Sequence, residues 1–164
     1  MLREREPVAG LGFALFALAG FIGTMRIISG QIDQLAMVHT IASQLGGIAG
    51  LVLLLSTIVR KQLWRHSTIV SVLAALAAIA IAALVPAIGA GLFVAMLLVA
   101  TALLFRGRAY AGAAGFALML INFALVRQSV LLGHDISWHA YHVIVAIWLF
   151  CTAISLKTEK LSSA

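Results

Sequence analysis

The sequence predicts an all-α fold, a polytopic membrane helix bundle of six transmembrane helices making one domain over residues 1–164. Three observations carry this. The chain is 63% apolar and 10% charged, with a mean hydropathy of +1.14, too few polar groups to cover a soluble domain of this size. Apolar runs of the length a bilayer needs, about 20 residues, recur along it. Short basic clusters separate those runs and fall on alternate loops.

Each run is readable in turn. Residues 7–28 form the first. Its apolar core is too long for a signal peptide and no convincing A-x-A site follows, so it reads as a retained helix. Residues 35–59 form the second. Residues 68–88 form the third and 92–105 the fourth, divided by "PAIGAG" with Pro86, Gly89 and Gly91. The fourth run is short and is expected to borrow from that linker; if the linker were only a kink, the count would fall to five. Residues 109–126 and 136–156 complete the set.

Charge decides between six and five. With six helices and a cytoplasmic N-terminus, the inner side holds Arg3, Arg5, Arg60, Lys61, Arg65, Arg106, Arg108, Lys157 and Lys160, nine of the eleven basic residues. Only Arg26 and Arg127 remain outside. Cytoplasmic loops are enriched in Lys and Arg, so six helices with both termini inside is the expected topology, in a bacterial-type inner (plasma) membrane. The same scatter explains the net charge of +6 as attraction to an anionic membrane surface. Nucleic acid is not an expected partner. Membrane lipids are, and both a homo-oligomer and a subunit of a larger membrane complex fit the composition. The lone Cys151 lies inside an apolar run and offers no disulfide framework.

Small residues at helical spacing (Gly20 with Gly23, Gly46 with Gly50, Ala111 with Gly115) predict close helix contacts, because lipid gives helices no hydrophobic reason to associate. Trp138, Tyr141, Trp148 and Tyr110 read as interfacial anchors or packing groups. Asn122 reads as an interhelical hydrogen bond. Asp33 is placed to cap the second helix and Asp135 the sixth.

The polar residues are unevenly placed. "GHDISWHAYHVIVAIWLF", residues 133–150, holds His134, His139 and His142, three of five histidines, and Asp135. In the six-helix topology these lie in the outer half of the last helix. Asp33 and His39 lie in the outer half of the second, while Arg26, Asn122, Arg127 and Gln128 fall at the same depth. His66 stands apart in an inner loop. Asp135, His139 and His142 are at i, i+4 and i+7 and share a helix face; His39 and Ser43 share another. Ionisable groups within a membrane face the bundle or water rather than lipid, so the two faces are expected to look into one cavity.

Neutral imidazoles and a carboxylate can hold zinc, with three protein ligands and a water making a catalytic site whose bound water is a nucleophile near neutral pH. The candidate metal ligands are His39, His139 and His142. Asp135 is the candidate catalytic carboxylate, and Ser43 could hold the water or a substrate carbonyl. "DISWHAYHVIVAIW" also resembles the last-helix motif of the alkaline-ceramidase-like (CREST) superfamily of membrane hydrolases, and "AMVHTIAS" around His39 resembles their early-helix segment. That family has a His pair four apart opening its last helix and a further His on an early helix, four residues after a Ser. His139 matches the second His of the pair, Asp135 stands at the first, and His39 matches the early one with Leu35 at the Ser position. The resemblance implies zinc and hydrolysis of lipid amide or ester bonds, although the family has seven helices. Two readings compete with it. Histidines on two helices could ligate haem b axially, with room at Gly46 and Gly47 and with Arg26 and Arg127 for the propionates. Alternatively the chain is a non-catalytic membrane subunit or a lipid or small-molecule binder. A transporter would call for an inverted repeat or a pair of broken helices, and neither is visible.

Overall fold

The structure is a computed structural model. It describes residues 6–63, 67–127 and 129–158, without the side chains of His134, Asp135 and Thr158. The expectations on Arg3, Arg5, Arg65, His66, Gln128 and Lys160 lie outside these residues. All six predicted runs are helical: α1 (Pro7–Ile28), α2 (Ala36–Gln62), α3 (Thr68–Leu84), α4 (Pro86–Arg106), α5 (Tyr110–Ile121) and α6 (Gly133–Thr158). The described residues contain no strand. Four helices, α1, α2, α4 and α6, are long and apolar enough to cross a membrane, the pattern of a multi-pass membrane protein. Large apolar side chains such as Leu73, Leu98, Phe105 and Phe150 are correspondingly exposed on helix surfaces.

The boundaries have local causes. Pro7 occupies the first turn of α1, where no backbone N–H is needed. Gly30, at φ +69°, ends it in the left-handed region that L side chains avoid. Ser67 caps α3, accepting from the Val70 N–H at 3.3 Å. Val85 is non-helical because Pro86 disfavours the α conformation in the residue before it. "PAIGAG" is therefore the first turn and a half of α4, which supplies the length its apolar run lacked. Asp33 departs from expectation. Leu35 holds the N-cap position of α2 without any side-chain bond, and Asp33 contributes its carbonyl, accepting from the Ala36 N–H at 3.2 Å. The turn between α1 and α2 is too tight to bring the Asp33 carboxylate onto the first α2 amides.

The chain gathers into two compact units, Met1–Phe93 and Val94–Ala164. In the first, α2 packs against both α1 and α3 around a core of Val8, Ala49, Leu53 and Ala75. The approach of α1 to α2 is close at two glycines. A Cβ on Gly50 would lie 2.7 Å from the Phe16 ring and 3.0 Å from the Gly12 carbonyl oxygen. Ser56 and Ser71 tie α2 to α3 by a hydroxyl pair at 2.6 Å. In the second unit α5 packs on α6. The buried Phe116 and Trp148 rings meet edge to face at 5.4 Å, so Trp148 is a packing group. Gly115 lets the two helices touch, its Cβ position 2.9 Å from Cys151 Cβ. Of the six predicted small residues, Gly23, Gly50 and Gly115 sit at close contacts. Gly20 has nothing within 4 Å, Gly46 makes an ordinary contact, and Ala111 is exposed.

Gly50→Ala is expected to lower stability by about 1–3 kcal/mol, the usual range for overpacking, seen as a reduced melting temperature in detergent. Gly20→Ala, in open space, should leave it equal or higher.

Candidate functional site

The polar residues singled out by the sequence are divided between the two units. His39 and Ser43 belong to the first, Asn122, Arg127, His139 and His142 to the second. The expected convergence of the two helix faces is therefore not among the contacts within either unit.

In the first unit, one helical turn separates His39 from Ser43 on α2, and they bond directly, His39 Nε2 to Ser43 Oγ at 3.2 Å. The His39 ring lies over Gly23 of α1. A Cβ there would stand 2.8 Å from Nε2 and 3.2 Å from Cδ2, so the bare glycine makes the notch that receives the imidazole. Arg26, one turn further along α1, donates through Nε to the Ile32 carbonyl and pins the α1–α2 turn. Gly46 and Gly47, expected to leave room for a porphyrin, face α1: a Cβ added at either would lie 3.8 Å from its nearest neighbour, the Leu15 carbonyl and the Phe16 ring respectively, an ordinary van der Waals contact.

In the second unit, α5 does not end at Ile121 but widens into one π-helical turn, Asn122–Val126. The Arg127 N–H reaches back five residues to the Asn122 carbonyl at 2.9 Å. Such turns are rare and concentrate at functional sites. Asn122 is 0% exposed. Its Nδ2 donates to the Tyr141 carbonyl of α6 at 3.1 Å and approaches Met119 Sδ at 3.7 Å, the interhelical bond that the sequence predicted. Its Oδ1 is buried and accepts nothing. Flipping the amide would set oxygen against the Tyr141 carbonyl, so the unpaired acceptor follows from the packing.

On α6, His142 Nδ1–H donates to the Trp138 carbonyl at 2.7 Å. That bond fixes the tautomer and leaves Nε2 as the lone-pair nitrogen. The Trp138 ring lies 4.1 Å from the His142 ring and 5.2 Å, edge to face, from His139. Tyr141 flanks His142 at 5.2 Å. The Arg127 guanidinium stands 5.8 Å from the Phe123 ring and 5.6 Å from that of Tyr141, within cation–π range. His139 is exposed and His142 half-buried. The side chain of Asp135, the candidate carboxylate, lies outside the described residues, as does that of His134. Among the described residues no three His, Cys, Asp or Glu side chains gather around one point.

Sequence reasoning missed the π-helical turn, the unpaired Asn122 acceptor and the Gly23 notch. Only the last left a trace, in the small residue at Gly23. No family model, curated protein or solved structure matches the chain.

A buried acceptor without a donor costs about 1–3 kcal/mol, and a typical hydrogen bond contributes about 0.5–1.5 kcal/mol net. Asn122→Leu removes both together. In protein extracted free of any bound amphiphile its melting temperature is expected to equal or exceed the wild type. A clear drop would mean that Oδ1 meets a bound donor in solution.

Proposed function

We propose that the chain is a six-span protein of a bacterial-type inner membrane, with both termini cytoplasmic, and that it binds a membrane amphiphile at its outer-half polar residues without catalysing a reaction. Six crossings rest on the nine-to-two division of basic residues and on the lengths of the shorter helices. The 17 residues of α3, and the 12 of α5 followed by the 5 of its π-helical turn, sit at the lower end of the range of about 17–25 for a crossing.

The observation that carries the binding reading is the buried, unpaired Asn122 Oδ1 beside a braced group of aromatic and cationic side chains. An acceptor kept dry inside a membrane helix asks for a donor, and Trp138, Tyr141 and Arg127 surround that end of α6 with the amphipathic groups that line headgroup sites. The polar side chains are held by their own helices, which favours a fixed recognition surface.

A second reading, a zinc-dependent lipid amide or ester hydrolase, draws on the His142–Trp138 bond. Metal-bound histidines commonly donate their other ring N–H to a backbone carbonyl, and His142 does so. His139, one turn before it, would be the neighbouring ligand, with His39 third, Asp135 as the carboxylate and Ser43 beside the reacting group. The three described imidazoles are divided between the two units, and among the described residues no three metal-binding side chains gather around one point, so binding is the first reading.

Two measurements test these. Reporter fusions should place Ala164 in the cytoplasm and the α5–α6 connection outside; a C-terminal reporter active only outside would overturn six crossings. Purified, delipidated protein should retain an extractable amphiphile and carry no stoichiometric metal. Stoichiometric zinc, lost together with a hydrolytic activity in His139→Ala but not in His66→Ala, would establish the second reading in its place. A Soret band in the same sample would instead identify haem.

A further inference from the structure

One hollow in the first unit is unlike the rest of its surface. It has a volume of about 420 Å³, within the range of small-molecule sites, and lies between α1, α2 and α3. Every side chain lining it is apolar. Ala42, Gly46, Ala49 and Ala75 make its floor, where larger side chains would fill it, and Leu15 and Leu76 are among its walls. Along α2 it runs from Ile41 to Leu53, twelve residues or about 18 Å at 1.5 Å each. This volume and length suit one acyl chain.

An apolar groove alone selects nothing in a bilayer, because lipid tails are as apolar as the groove. Selection must come from the polar end, and this groove has one. Ile41 and Ala42 at its mouth adjoin Ser43, whose hydroxyl holds His39 in the Gly23 notch. Arg26 follows Gly23 by one turn, so it rises above the same notch. Its Nε is committed to the Ile32 carbonyl. Asp33 is exposed in the same turn, yet among the described residues no ion pair joins it to Arg26. Arg26 is thus an anchored cation without an ion pair, about two helical turns beyond Leu18 at the groove's end.

We infer that the α1–α2–α3 groove takes the single acyl chain of an anionic amphiphile whose carboxylate or phosphate head lies against Arg26, His39 and Ser43. This rests on the reading of the chain as an amphiphile binder and adds a site in the first unit, separate from the Asn122 acceptor of the second. Arg26 supplies charge and the four N–H donors of its Nη groups. The bonded His39–Ser43 pair supplies one further donor, already ordered. The groove's length sets the chain length it takes.

The test uses the full chain purified in detergent, with tritiated palmitate and tritiated lysophosphatidate as probes for the two head chemistries. Saturable binding of at least one is expected. Ala49→Phe, which fills the groove, should weaken it at least tenfold, as should Arg26→Gln. Leu98→Trp, on an exposed surface of α4, should leave it unchanged. Hexadecanol, with the chain but no charge, should compete at least tenfold less well than palmitate. Should Ala49→Phe fail to fold, a diazirine-bearing palmitate on wild-type protein decides the matter, with adducts expected on α1, α2 or α3. Binding that persists in a folded Ala49→Phe variant, or adducts confined to residues 94–158, would overturn the groove while leaving amphiphile binding intact. If neither probe saturates, the groove falls, while the binding reading stands or falls on whether the purified protein yields an extractable amphiphile.

Discussion

The interior of a bilayer offers no hydrogen-bonding partner, so each polar group on a membrane helix must find one within the protein. Most of what distinguishes this molecule follows from that constraint. The commonest solution is local. Thr24, Ser29, Thr57, Thr101 and Thr152 each donate to the carbonyl four residues earlier, at 2.6–3.0 Å. His142 does the same with a ring nitrogen. A side chain satisfied this way needs no neighbour and is invisible to lipid. What cannot be satisfied locally is handed to another helix: Asn122 to the Tyr141 carbonyl, Ser56 to Ser71. These few bonds set the register of α5 on α6 and of α2 on α3 in a way that apolar packing alone would leave loose.

The helices meet for a second reason, which is shape. Without a hydrophobic drive between them, contact depends on dispersion and close approach. Gly12 and Gly50 let the α1 and α2 backbones come together, and the Phe16 ring lies across Gly50. Gly115 does the corresponding work between α5 and α6. The Gly23 notch is the same device turned to a polar end. It brings an imidazole, rather than a phenyl ring, against a neighbouring backbone, and so places His39 at the seam of α1 and α2 instead of in lipid.

The helices were legible because a membrane span is written in composition, and composition survives any rotation of the helix. Residues 7–28 were read with the bounds of α1, whereas the third run, read as 68–88, stops at Leu84 because Pro86 acts on the residue before it. Asp33 was misjudged because capping depends on where a turn aims a carboxylate, and the number of residues between α1 and α2 does not encode that direction. The π-helical turn at Asn122 left no sign in the sequence. It exchanges one hydrogen-bond register for another at little cost, and nothing in "LINFALV" prefers one. The polar candidates were found by type and spacing, and His39 with Ser43 did prove to be bonded. Their grouping across helices was not legible, since spacing along a chain reports which side chains share a face and not what that face meets.

The two histidine neighbourhoods also differ in what they leave open. His142 spends its Nδ1–H on a carbonyl, so its Nε2 lone pair points away from its own helix. His39 presents Nε2 to Ser43, with the Gly23 backbone behind it. A metal at His39 through that nitrogen would have to displace the Ser43 hydroxyl, and the hydroxyl would then need another acceptor in an apolar setting. A ligand bearing an anionic head makes no such demand. It can accept one hydrogen bond from the His39–Ser43 pair where it stands, while Arg26 neutralises its charge. The bond between His39 and Ser43 thus orients the ring through one nitrogen, as the Trp138 carbonyl does for His142.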